Sequence, residues 1–156
     1  MARQRSRTAS LRDQSRSGLF ADSGFWVALL LRRDALHKLA AAWQRWIETN
    51  GVPVVTTEAV LWESLNHLSP VGLRQTALEL FHRCHAASDI TVVPFQKSET
   101  QAAINLYGSR RDKSWSLTDC HSFVVMDDLG LEGALTADHH YEQAGYRALL
   151  LEDPPE

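Results

Sequence analysis

The stretch SWSLTDCHSFVVMDDLGLEGALTAD, residues 114–138, decides the fold class. Ser116 followed three residues later by Asp119 is the Ser-x-x-Asp form of a capping box. It precedes the apolar residues Phe123, Val124, Val125 and Met126, so the segment opens as a helix. The run GALTAD, residues 133–138, then reads as a strand that ends on an acid. A capped helix leading into an apolar strand is a building block of an α/β domain. Asp119 has two candidate roles, helix cap and member of a carboxylate cluster, and the residues alone leave both open.

The same alternation runs back through the chain. GLFADS (residues 18–23) is a short apolar strand ending in Asp22-Ser23, and GFWVALLLRRD (24–34) and ALHKLAAAWQRWIETNG (35–51) read as helical, the second stopped by Asn50-Gly51. VPVVTT (52–57) is a β-branched run, followed by a helix EAVLWESLNHLS (58–69) that Pro70 helps to close. The next helix (71–87) is amphipathic, with Leu73, Ala77, Leu80 and Phe81 on one face. DITVVPF (89–95) is a further strand, SETQAAINLYGS (98–109) a helix, and RRDKSWS (110–116) a basic loop. Strands alternating with long helices predict a three-layer α/β/α sandwich around a mainly parallel sheet, whose ligands bind beyond the carboxyl ends of the strands.

Composition narrows the function classes. The chain has 156 residues, 44% of them hydrophobic, enough for one domain with its own core, expected over residues 18–156. Five arginines against Asp13 fall in residues 1–17, a tail expected to be disordered. That tail suits a nucleic-acid arm, a targeting segment or a dispensable extension. The remainder carries 11 basic against 18 acidic residues. Such a body argues against a broad phosphate-binding surface and suits carboxylates gathered around a cation. Cys84 and Cys120 stand at no metal-ligand spacing and form no disulfide framework, which predicts a reducing cytoplasm. The longest apolar run, FWVALLL (25–31), is too short to cross a bilayer.

Most of the acids read as solvating charge, among them Glu48, Glu79, Asp112, Asp127, Asp128 and Glu132. Asp22 and Asp138 differ because each closes an apolar strand, where a carboxylate needs a partner, a cation or a helix to cap. Glu63 lies off the Leu61/Leu65/Leu68 stripe of its helix and is either a solvent-facing residue or a ligand. Glu58 sits in the first turn, where it complements the helix dipole. His67, His82, His85 and His121 are expected at the surface or as satisfied helix residues. His139 and His140 invite a zinc site, but no further ligand stands at a convincing spacing.

The order of motifs resembles a PIN-domain ribonuclease of the kind that serves as the toxin in VapBC-type toxin–antitoxin pairs. The matching segments are LFADSGFWVALL, VVTTEAVLWESLNHL and KSWSLTDCHSFVVMDDLGLEGALTADHHYEQAGYR, and the resemblance runs from about Leu19 to Leu151. It implies a quartet of acids at Asp22, Glu63, Asp119 and Asp138 that holds Mg2+ or Mn2+ and hydrolyses RNA phosphodiester bonds. Ser23 and Thr118 fall beside the first and third acids, where they would orient carboxylates or cap their own helices. Arg110, Arg111 and Lys113 would touch RNA phosphates or serve as plain solvated charge. The resemblance also implies a small antitoxin partner and a homodimer, to which Trp26, Trp43, Trp46 and Trp62 would contribute unless they pack in the core. ADHH also resembles DHH-type phosphoesterases, which need further motifs and a longer chain. The alternative class is a PIN fold without catalysis that only binds RNA or a protein.

Overall fold

The computed structural model describes residues 18–156, and the basic tail expected over residues 1–17 lies outside them. Strand β1 (Leu19–Ala21) consists of three successive hydrophobic residues, all fully buried. Neighbouring strand residues point to opposite faces, so burial of all three requires cover on both sides of the sheet. β2 (Val54–Thr57) is buried in the same way. β3 (Ile90–Val93), β4 (Gly133–Leu135) and β5 (Arg147–Ala148) complete the sheet in the order β3-β2-β1-β4-β5. Every pairing is parallel: Phe20 lies opposite Val55 on one side and Ala134 on the other. The predicted α/β/α sandwich is the observed fold.

Parallel strands need long crossovers, and helices supply them. They are α1 (Ser23–Leu30), α2 (His37–Asn50), α3 (Glu58–His67), α4 (Arg74–Ala86), α5 (Lys97–Ser109), α6 (Leu117–Leu129) and α7 (His139–Gln143). Gly51 (φ 61°) ends α2 and Gly130 (φ 66°) ends α6, both in the left-handed conformation that favours glycine. Thr57 caps α3 by accepting the Val60 N–H at 3.1 Å. On α4, Ala77 and Leu80 are buried and Phe81 packs against the core, as does Leu73 in the 3-10 turn (Val71–Leu73) that precedes the helix.

Two expectations need correction, and one element was not foreseen. The helix expected over residues 24–34 stops at Leu30, because Leu31 is extended and Asp34 Oδ1 accepts the Leu36 N–H at 2.8 Å to make a turn before α2. The strand expected over residues 133–138 stops at Leu135, so Asp138 is the N-cap of α7 and not a strand residue. The segment after His139 contains a strand that periodicity could not reveal, since β5 is two residues long. Trp26 and Trp43 lie in the core, which removes them from any partner surface, while Trp62 is 65% exposed. Among the described residues no helix is long and apolar enough to cross a membrane.

Candidate active site

The strand order reverses between β1 and β4, the place where an open parallel sheet leaves a crevice beyond its carboxyl ends. Asp22 follows β1 directly and reaches that crevice, with its N–H bonded to the Leu135 carbonyl at 3.4 Å. A cavity of about 600 Å3 opens there, lined by Asp22, Ser23, Glu63, Asp119, Asp138 and His140 among others. The four acids singled out in the sequence are thus brought together by four different elements or their caps: α1, α3, α6 and α7.

Asp22 occupies the N-cap position of α1, yet its side chain makes no capping hydrogen bond; its backbone carbonyl accepts the Phe25 and Trp26 N–H groups instead. The carboxylate accepts the hydroxyl of Thr136 at 3.0 Å. Only 7% exposed, it is pushed up to a pKa of about 6 from 3.8, first by burial and also by the negative charges of Glu63 and Asp119. The Ser23 backbone N–H and the Thr136 hydroxyl pull the other way without cancelling the shift. Capping therefore does not explain this acid.

Asp119 does two things at once. Its N–H donates to Ser116 Oγ at 3.0 Å and its Oδ2 accepts the Ser116 N–H at 2.8 Å, a complete capping box. The same Oδ2 meets His140 Nδ1 at 3.1 Å. The two roles left open for Asp119 are thus not alternatives: one carboxylate oxygen serves the cap while the residue still faces the cavity. Asp138 also caps, accepting the His140 N–H at 2.9 Å, and its other oxygen lies 3.4 Å from His140 Nδ1. His140 therefore stands between the third and fourth acids. Asp138, His139 and His140 each bring one donor atom to within 4.8 Å of one another.

Glu63 is exposed on α3, and Ser23 donates its hydroxyl to Glu63 Oε2 at 2.6 Å. Glu58 is turned away from the cavity and accepts the Phe95 N–H at 2.8 Å. Thr118 lies beside Asp119 but lines a neighbouring apolar cavity, and its carbonyl accepts the Ser122 hydroxyl at 2.9 Å. The basic loop is already partly neutralised. Arg110 makes a two-pronged pair with Asp112 at 2.9 Å and lies 4.8 Å over the Trp115 ring, and Lys113 is 3.8 Å from the same acid. Arg111 is exposed at the mouth of a separate cavity, which shares Ser114 with the acidic one.

Sequence reasoning missed Thr136 and Asp34, weighed His140 only as an unsupported zinc ligand and read His67 as a surface or satisfied helix residue; all four lie at or behind the cavity. Thr136 is fully buried two residues before Asp138, and its hydroxyl also accepts the Asp138 N–H at 3.1 Å, so it links the first and fourth acids. The signal for it was a hydroxyl residue at the end of an apolar run. His140 had only its spacing of two from Asp138. His121, expected to be satisfied or at the surface, is 4% exposed with neither ring nitrogen hydrogen-bonded.

The PIN-domain family model matches residues 19–145. Among solved structures, a similar chain is VapC20 of Mycobacterium tuberculosis, described as a sarcin-ricin-loop-cleaving toxin. The two share 23% sequence identity and superpose with a TM-score of 0.73 over 83% of this chain and 96% of that one. No curated protein matches. With the family model spanning most of the chain over the strands, helices and acids described above, the protein belongs to the PIN-domain family.

Proposed function

We propose that the chain is a divalent-cation-dependent endoribonuclease acting as the toxin of a toxin–antitoxin pair. The observation that carries the nuclease reading is the crowding of Asp22, Glu63 and Asp119 in one crevice, with the Asp22 carboxyl raised to about 6 by burial and by the other two charges. Buried like charges are unfavourable unless protons or a cation join them. The donor set is dominated by carboxylate oxygens, and Glu63 is exposed enough to leave space for water, so Mg2+ or Mn2+ fits it.

Asp22, Glu63 and Asp119 would hold such an ion, with Asp138 serving a second ion or orienting water. When bound, it supplies charge stabilisation at the phosphate and acidity for the attacking water. The protein's own part is to set the oxygens beforehand. Thr136 holds Asp22, Ser23 holds Glu63, and the Ser116 N–H with His140 holds Asp119. Arg111, the exposed cation of the loop, is better placed than the paired Arg110 to meet RNA phosphates.

The fold shared with a toxin that cleaves RNA supports the same chemistry and role here, together with a small antitoxin and a second copy of the chain as partners. Cytoplasmic action goes with two buried, free cysteines. The alternative of a PIN fold that only binds is disfavoured by acids gathered in one cavity. Incubation of RNA with the purified chain tests the proposal: Mg2+ should permit cutting, EDTA should stop it, and Asp22→Asn should lack it. Cutting that survives both EDTA and Asp22→Asn rules it out. Induced expression should arrest growth, and Asp22→Asn should not.

A further inference from the structure

Beside the acidic crevice lies a second cavity of about 360 Å3 between α3, α5 and α6. Trp62, Phe95 and Leu117 stand around it, each more than 40% exposed. The Trp62 and Phe95 rings meet at 88° with centroids 6.2 Å apart, so they form an aromatic corner. His121 lies deeper, its ring centroid 5.9 Å from that of Phe95, and both of its nitrogens lack a partner. A buried imidazole with no hydrogen bond is costly unless something else completes it. Glu63 lines this cavity and the acidic one alike, and Thr118 places the cavity next to Asp119.

We propose that this cavity is a nucleobase subsite, which takes the base of the nucleotide adjoining the phosphodiester held at Asp22, Glu63 and Asp119. The inference rests on the ribonuclease reading and names the part of the substrate that this face binds. Three properties favour an unpaired base as occupant. Aromatic faces accept any base by stacking, and this volume falls in the usual range for small-molecule sites. One ring nitrogen of the unpartnered His121, a donor or an acceptor according to its tautomer, can meet one polar group on a base edge. Finally, residues outside the N-terminal tail carry 11 basic against 18 acidic side chains, so contact with RNA has to draw on bases more than on phosphates.

The division of labour follows from these contacts. Trp62 and Phe95 supply sequence-tolerant stacking, and His121 discriminates among bases by their edges. The nucleotide in the cavity is single-stranded, since a paired base could not enter a cavity closed on three sides by helices.

The test is binding of four fluorescent octaribonucleotides, rA8, rC8, rG8 and rU8, and of an abasic ribose-phosphate octamer, to full-length Asp22→Asn protein. Base-bearing oligomers should bind roughly tenfold or more tightly than the abasic one, with one base preferred. Trp62→Ala, at an exposed position, should weaken all four by about tenfold. His121→Phe, which keeps a ring in place, should level the four affinities without abolishing them. Abasic RNA bound as tightly as the others would overturn the subsite, as would an unchanged base preference in His121→Phe. A dimer in the parent that Trp62→Ala converts to a monomer, with RNA affinity unchanged, would assign the corner to a second copy and overturn it equally. Cleavage of mixed-sequence RNA by the wild-type chain in Mg2+ separates the two ideas. A chain that cuts RNA but ignores bases loses the subsite alone, whereas a chain that prefers bases but never cuts loses only the nuclease reading.

Discussion

Thr136 donates its hydroxyl to Asp22 Oδ2 at 3.0 Å, joining residues that lie 114 positions apart across the switch point of the sheet. The same oxygen of Thr136 accepts the Asp138 N–H at 3.1 Å. Thr136→Val keeps the shape and removes both bonds. It should cost roughly 1.5–3 kcal/mol at neutral pH, because a hydrogen bond to a charged group is lost inside the protein. Urea midpoints check this, and a change under about 0.5 kcal/mol would show that water replaces the hydroxyl.

Asp22 gives the protein a pH-dependent weakness. Its carboxyl titrates near 6 in the folded chain and near 3.8 unfolded, so between those values the folded state binds more protons. This contribution to stability is complete below about pH 4, fades as pH rises through 6 and stays lost above. The difference is worth about 3 kcal/mol at most. Asp22→Asn should therefore be more stable than wild type at pH 7.5 in EDTA and lose that advantage by pH 4. Chemical denaturation of both chains at the two pH values measures it, and equal stability differences at the two pH values would contradict it. Mn2+ should restore stability to wild type and not to the variant.

Cap and site can be separated at α6. Ser116→Ala removes the Oγ acceptor for the Asp119 N–H and should cost about 1 kcal/mol with the acidic site left in place. Asp119→Asn keeps an oxygen that can accept the Ser116 N–H, so it should lose metal affinity and cleavage while its melting temperature barely moves. Calorimetric Mn2+ titration beside thermal melts distinguishes them. Full metal binding by a destabilised Asp119→Asn chain would leave the residue a cap only.

His140 and Ser23 hold acids without being acids. Removing either group, as His140→Ala or Ser23→Ala, should weaken divalent-cation affinity by about 10- to 100-fold. Rescue by His140→Asn, which can donate to Asp119 from a similar place, would point to positioning. Unaltered affinity in both alanine variants would show that the carboxylates hold their places unaided.

Much of this was legible from residue order. Alternation of apolar runs and amphipathic helices was enough for the α/β sandwich, and Asp22 stood out as an acid closing an apolar strand. Glu63 was another matter: helical spacing shows only that it leaves the Leu61 stripe, and its value comes from the Ser23 hydroxyl, 40 residues away, that it accepts. Asp119 and Asp138 both cap helices and both face the crevice, so treating cap and site as alternatives could not resolve either. His140, Thr136 and the two-residue β5 were hidden because their meaning lies in contacts across the sheet, which no local pattern encodes. His121 was misjudged for the same reason: its burial is created by α5 packing on α6.

The central claim is that acids from four elements act as one cation-dependent centre for RNA cleavage. Single-turnover cleavage of one RNA against Mn2+ concentration, in wild type, Asp22→Asn, Glu63→Gln, Asp119→Asn and Asp138→Asn, tests it most directly. The account predicts metal-dependent cleavage in wild type and a loss of about 100-fold or more for each of the first three acids, in line with electrostatic contributions to catalysis. Asp138→Asn should fall less and need more Mn2+. Cleavage that is independent of Mn2+, or undiminished when Asp22, Glu63 and Asp119 are replaced in turn, would contradict it.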